Sequence, residues 1–298
     1  MRVRILGTAA GGGLPQWNCG CAPCEQARSA GPAGWRSQEA LAISVSENAW
    51  YLVNASPELR AQLLAVPELV PPAGSRDTPL RGVLLTDGEL DHTVGLFALR
   101  EGAALDLHAP AAVLDALTHA FPLRSLLAPY GTAHWRPLGG EQLPLDRGRL
   151  AVTAFPIGDK RPRYARESAA PGPWVVAYRF EETATGATLV YAPSLAQWPE
   201  GFDDWLTGAD CVLLDGTFWT ADELDRATGT SGAARGMGHL PVSGPGGTLD
   251  RLRRHPAKRR LYTHLNNTNP LTVPGSPAVA VLAEAGVEVA FDGQSMEL

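Results

Sequence analysis

The 298-residue sequence predicts an α/β (α+β) sandwich, with sheets packed on each other and helices distributed around them. Three observations predict it. Strand and helix candidates alternate along the chain with no long low-complexity linker and no short repeat. The strand candidates carry the β-branched and aromatic enrichment of strands, while several helix candidates open with Pro, Ser, Asp or Thr. Finally, three strands run into an acid or a histidine, and strand ends are where α/β scaffolds put their chemistry.

In chain order, the first strand, 2–6, dissolves into Gly11-Gly12-Gly13, a glycine turn rather than a signal peptide. That turn lacks the Gly-Lys-Ser/Thr of a phosphate loop and the spacing of a dinucleotide fingerprint. Strands 40–46 and 49–54 follow, then a helix over 57–65 opening at Pro57. A buried strand, 82–86, leads to a helix over 93–101, a strand over 104–108 and a helix over 110–120. Strands 149–155, 174–180 and 187–191 come next, with a polar loop at 158–167. The last third alternates helices 200–207, 219–227, 247–254 and 276–285 with strands 210–214, 259–264 and 287–291. The Gly- and Ser-rich segment 228–247 reads as a second loop.

Composition narrows the function class. Hydrophobic content of 45% with 19% charged residues is ordinary for a globular enzyme. A net charge of −6 argues against a nucleic-acid partner. The one basic run, from Arg251 to Arg260, reads as a helix C-terminus and its loop. Nothing approaches the roughly 18 uncharged apolar residues of a membrane span, so membrane insertion is not expected. The expected location is the cytoplasm, and the cysteines agree with a reducing compartment.

Those cysteines are the first candidate site. Cys19, Cys21 and Cys24 lie too close for all three to pair within the chain, so one thiol is always left over. As thiolates they make three-quarters of a structural Zn2+ site, with redox or incidental thiols as the alternative. Cys211 lies in an apolar run and reads as a core thiol.

The second candidate site begins at Leu85-Thr86-Asp87-Gly88-Glu89-Leu90-Asp91-His92. Residues two apart on an extended segment share a face, so Asp87, Glu89 and Asp91 can converge, with His92 joining at a turn. The alternative is a solvated acidic loop whose carboxylates suit a helix N-terminus. Asp215, ending the strand 210–214, and His264, ending 259–264, bring two further ligand types.

Taken together, these segments resemble the pyrroloquinoline quinone (PQQ) biosynthesis protein B family, a branch of the metallo-β-lactamase fold. The matching residues run from Ile5 to Cys19, Asn54 to Pro57, Leu85 to His92, Leu214 to Thr217, Met237 to His239 and His264 to Pro270. They span nearly the whole chain. The resemblance implies one four-layer αββα domain over 1–298, with an N-terminal zinc-binding loop at about 15–30. It also implies PQQ biosynthesis, by iron-dependent, O2-using hydroxylation of the tyrosine-derived ring of a Glu-Tyr-derived intermediate. The alternatives are a non-catalytic carrier of PQQ or its precursor and a metallo-hydrolase of the same fold.

The fold's usual His-x-His-x-Asp-His turn is altered here, with Asp87 and Glu89 where the leading histidines belong. A third histidine common in relatives is replaced within Phe155-Pro156-Ile157-Gly158-Asp159. Both departures favour a single oxygen-rich site over two zinc ions. The catalytic set expected is His92, Asp91, Asp215 and His264, with Glu89 an additional metal ligand and Asp87 auxiliary. Two histidines and a carboxylate suit active-site Fe2+, with Mn2+, Mg2+ or Zn2+ able to compete. By the same resemblance His239 closes the cysteine site, ahead of His108, His119, His134 and His255. Substrate contacts are expected from Asn266, Asn267 and Asn269, or from Arg161, Arg163 and Arg166 pairing with carboxylates. The expected partner is a small-molecule PQQ intermediate, with a homodimer left open.

Overall fold

Apolar residues run through whole strands of this chain, and position parity divides them between two cores. The computed structural model describes residues 1–101, 104–131, 133–229 and 236–298. One seven-stranded sheet is ordered β14-β1-β2-β3-β4-β5-β6. Its strands are β1 (Arg2–Gly7), β2 (Ala40–Ser46), β3 (Ala49–Val53), β4 (Leu80–Leu84), β5 (Leu105–Ala109), β6 (Ala133–Pro137) and β14 (Ser295–Glu297). The other is ordered β13-β12-β11-β10-β9-β8-β7. It comprises β7 (Leu143–Leu145), β8 (Leu150–Gly158), β9 (Val175–Glu182), β10 (Thr188–Ala192), β11 (Cys211–Asp215), β12 (Arg259–Thr263) and β13 (Glu288–Val289).

Odd-numbered residues of the central strands, such as Leu41, Ile43, Tyr51, Val53, Leu189, Tyr191, Cys211 and Leu213, share one core with Tyr178 and Phe180. Their even-numbered neighbours Ala42, Leu52, Val190, Ala192, Val212 and Leu214 join the other core with helix residues such as Val113, Leu117, Leu252 and Leu282. The inner face of each sheet therefore meets the other sheet and the outer face meets helices, the αββα layering expected. Cys211 is fully buried, and burial pushes its thiol up to about 12.

The helices are α1 (Ala22–Ala30), α2 (Leu59–Leu64), α3 (Leu90–Thr93), α4 (Ala111–His119), α5 (Leu123–Leu127), α6 (Phe202–Leu206), α7 (Glu223–Thr228), α8 (Leu249–Leu252) and α9 (Pro277–Glu284). The structure departs from the sequence expectations in three places. The helix expected over 93–101 is a short α3 continued by a 3-10 segment, Val94–Leu99. Gly95 lets this segment lie directly on the loop after β3, since a Cβ there would lie 2.0 Å from the Ser56 carbonyl. Edge strands β6, β7 and β14 and helix α1 were not expected, being short or half-exposed and so weakly patterned. The 158–167 loop is pinned by Tyr164, whose hydroxyl donates to the Gly88 carbonyl at 2.5 Å. Residues 230–235 of the 228–247 segment lie outside the described residues.

In each sheet, one half is antiparallel and the other parallel: β3 through β6 in the first, β10 through β13 in the second. The C-terminal ends of parallel strands leave one edge where loops from both sheets meet, and ligand sites of open α/β sheets form at such edges. No helix among the described residues is long and apolar enough to cross a membrane. The basic run is spent on surface ion pairs, including Arg251–Asp203, Lys258–Asp210 and Arg259–Glu288.

Candidate metal centre

The turn after β4 folds Asp87 inward, where only 2% of it is exposed. Its two oxygens lie 2.8 and 2.9 Å from Nδ1 of His92. An ionised carboxylate only accepts, so His92 carries its hydrogen on Nδ1 and turns Nε2 toward the cavity. Burial works to lower the pKa of His92, but the carboxylates of Asp87 and Asp91 outweigh it and raise the group to about 10. Burial likewise opposes ionisation of Asp87, and His92 beside it still holds the acid below the usual range.

A second imidazole arrives at the end of β12. His264 has a φ of 58°, a left-handed conformation that non-glycine residues adopt at a cost. Its Nδ1 lies 2.7 Å from Thr217 Oγ1, and that hydroxyl is 2.6 Å from Asp215 Oδ1. Thr217 has one hydrogen and gives it to the carboxylate, so it accepts from His264 Nδ1–H and leaves Nε2 as a bare acceptor. Burial lowers the pKa of His264, favouring the neutral ring.

The Nε2 atoms of His92 and His264 are both buried without a hydrogen-bond partner. Asp91 Oδ2 sits 3.8 Å from the first and 3.7 Å from the second. Burial opposes its charge, yet the two histidines hold Asp91 well below the usual carboxylate range. Glycine at position 11 leaves room for Asp91, since a Cβ there would lie 3.2 Å from its Oδ2, a tight contact. Ligands held at about 2.0–2.2 Å from one ion stand roughly 3 to 4 Å apart, so the spacing fits a shared cation. The donor set fits too, because no Lys or Arg pairs with Asp87 or Asp91 among the described residues and a cation there would join His92 in balancing them.

Asp215 lies beside His239 and His264, whose ligand atoms are within 4.8 Å of its own, a second group able to hold a metal. Its oxygens accept four hydrogen bonds, from Leu195 N–H at 2.7 Å, His239 Nδ1 at 2.7 Å, Thr217 N–H at 2.9 Å and the Thr217 hydroxyl. Its work is to orient Thr217 and, through it, His264.

Two expected ligands are elsewhere. His239 does not join the cysteines, since it bonds Asp215 and stacks on His264 with ring centroids 5.3 Å apart. The cause is in the backbone. Leu240 N–H bonds the Leu195 carbonyl and Val242 N–H bonds that of Phe218, tying this segment beside the exit of β11. Glu89 turns away from the histidines and pairs with Lys160 at 2.9 Å.

The group that meets the cysteines is Asn267. Its Nδ2 lies 3.1, 3.5 and 3.3 Å from the sulfurs of Cys19, Cys21 and Cys24. The three sulfurs lie within 4.8 Å of one another, close enough for a common ion, and an amide can present its oxygen to one as readily as its nitrogen to a thiolate. The other amides build the loop rather than reach into the cavity. Asn266 donates to Thr268, while Asn269 donates to the carbonyl of Gly216 and caps Leu271 N–H. Arg161, Arg163 and Arg166 are exposed at the mouth of a cleft that also takes in Asp91, Lys160 and Tyr164. Arg161 lies over the Trp174 ring at 5.7 Å.

Sequence reasoning missed Glu39. It sits just before β2, 1% exposed, with Oε2 3.6 Å from His92 Nε2 and 2.8 Å from the Asn54 amide that donates to it. Burial raises its pKa to about 8. The available signal was an acid placed directly against an apolar strand, Glu39-Ala40-Leu41-Ala42.

Comparison with known proteins gives a consistent picture. A model of the β-lactamase superfamily domain matches residues 49–265. The chain is 40% identical over its full length, and the relative's, to coenzyme PQQ synthesis protein B of Pseudomonas aeruginosa. It is 43% identical to that of Cupriavidus necator, over 99% of both chains. Among solved structures, Zn(2+)-bound PqqB from Methylobacterium extorquens superposes with a TM-score of 0.91 at 33% identity, covering both chains fully. A diphosphatase of the PhnP family shares the fold at a TM-score of 0.71 and 19% identity, over 100% of this chain and 97% of its own.

Proposed function

The chain belongs to the coenzyme PQQ synthesis protein B family of the β-lactamase superfamily, with a role in PQQ biosynthesis, and from that premise we propose that it is a non-haem iron hydroxylase. Its substrate in this reading is a Glu-Tyr-derived intermediate, hydroxylated on the tyrosine-derived ring at the expense of dioxygen. One observation carries the proposal: two buried, unpartnered imidazole nitrogens both lie within 3.8 Å of one shared carboxylate, Asp91. Two histidines and one carboxylate suit ferrous iron, which when bound supplies the activation of dioxygen and keeps further positions open.

The protein's own residues prepare that centre. Asp87 holds the tautomer of His92, and Asp215 acting through Thr217 holds that of His264, the outer support that metal-ligating histidines require. Arg161, Arg163 and Arg166 are placed to bind the several carboxylates of such a substrate. A two-metal hydrolase would draw on a second group, Asp215, His239 and His264, and we favour the single centre because Asp87 and Glu89 stand where the fold's leading histidines belong.

The test combines binding with turnover. Fe(II) titration should show His264→Ala and Asp91→Ala abolishing binding at this centre while metal at the cysteines is retained. Iron-loaded protein should then give an oxygen-dependent mass gain on the Glu-Tyr-derived intermediate. Product formed equally without oxygen, or undiminished Fe(II) affinity in both variants, would overturn the reading.

A further inference from the structure

Resting on the metal centre just proposed, the geometry points to Glu39 as a second metal-facing carboxylate that biases the site toward hard divalent ions. The departure from a two-histidine, one-carboxylate set is visible around His92. Its Nε2 has Asp91 Oδ2 at 3.8 Å and Glu39 Oε2 at 3.6 Å. Neither contact is a hydrogen bond, since both exceed 3.5 Å, and the nitrogen is left without a partner. The spacing is instead that of neighbouring ligands around a common ion.

Glu39 is held for this position. It lies at the N-terminal end of β2, which runs antiparallel to β3, so it shares an edge with Asn54 at the C-terminal end of β3. Asn54, at φ 63°, donates to Glu39 Oε2 and accepts from Thr86 N–H at 3.0 Å, tying the acid to the turn that carries Asp87. With Asp87 and Asp91, Glu39 makes three carboxylates close to one imidazole, and no Lys or Arg pairs with any of them among the described residues. A divalent cation brought among them supplies a partner to carboxylates that otherwise share only His92. Oxygen donors favour Mg, Mn and Fe(II) over the softer preferences of zinc, so a second carboxylate shifts selectivity in that direction.

The experiment uses the full-length protein stripped of metal at this centre, with Mn(II) and Zn(II) as separate probes and EPR of bound Mn(II) as a second readout. Glu39→Gln preserves volume and an acceptor for Asn54. It should weaken Mn(II) binding about tenfold to a hundredfold and Zn(II) binding less, and alter the EPR signal. The metal-free variant should melt close to wild type, because the acceptor for the Asn54 amide is kept, while its metal-induced rise in Tm shrinks. Glu39→Asp, which restores the charge on a shorter arm, should recover part of the Mn(II) affinity. Unchanged Mn(II) affinity and spectrum in Glu39→Gln would overturn the role of Glu39 alone. Failure of the wild type to bind Mn(II) or Fe(II), with His264→Ala as the control, would overturn the centre itself.

Discussion

At the scale of single residues, the centre works by fixing where hydrogens sit. Asp87 and the Thr217–Asp215 pair each take an Nδ1 hydrogen, so that both Nε2 atoms converge, and a cation that displaces the Nε2 hydrogen of His92 would meet two nitrogen donors. Away from the metal ligands, Glu223 shows burial outweighing the groups that favour its charge. Burial raises its pKa to about 7, against hydrogen bonds from Thr268 at 2.7 Å and Trp219 N–H at 2.5 Å. The folded state thus binds this proton more tightly than the unfolded chain. The stabilisation is complete below about pH 4.5, the unfolded value, and is lost as pH rises through about 7. Glu223→Gln is uncharged at every pH, with a carbonyl oxygen for Trp219 N–H and an amide N–H that can donate to Thr268 Oγ1. Its Tm should exceed wild type at pH 8, by up to roughly 3 kcal/mol of stability, and converge with it near pH 4.5. A difference independent of pH would show that Glu223 is not the titrating group.

At the scale of elements, the loop leaving β12 does two jobs within four residues. His264 enters the candidate centre, and Asn267 caps the cysteines that lead into α1. Zinc bound at the cysteines would therefore brace the same loop that carries His264. We expect His239→Ala to retain one zinc per chain, because His239 is tied to Asp215 instead. Asn267→Ala should release that zinc at lower chelator concentration, and Cys24→Ser should lose it and expose residues 15–30 to protease. Zinc lost on His239→Ala, with Asn267→Ala unaffected, would restore the histidine to the cysteine site.

At the scale of the whole molecule, charge is unevenly spread. The chain carries a net −6, yet Lys160, Arg161, Arg163 and Arg166 gather at the mouth above Asp91. A local positive field of this kind draws in anionic ligands and is screened by salt. Replacing Arg163 and Arg166 together by Ala should raise KM for a multi-carboxylate substrate about tenfold, leave kcat within about twofold, and flatten the salt dependence of kcat/KM. A KM that stays constant would make these arginines solvated surface. The same scale explains why the centre lies where it does: parallel halves of two sheets end at one edge and deliver Asp87, Asp215 and His264 together.

Much of this was legible in sequence, for a physical reason. Strand periodicity depends only on neighbouring residues, so the central strands, the buried Cys211 and the αββα layering could be read directly. The Asp91-His92 turn and His264 were legible because each ends an apolar strand. What tertiary structure decided were pairings between distant segments. Backbone bonds to Leu195 and Phe218 set His239 on Asp215, and the β12 loop set Asn267 on the cysteines. Glu89 turned outward to Lys160, while Glu39, 53 residues before His92, turned inward to face it. A carboxylate's role depends on which cation or donor the fold places beside it, and one-dimensional spacing carries no record of that.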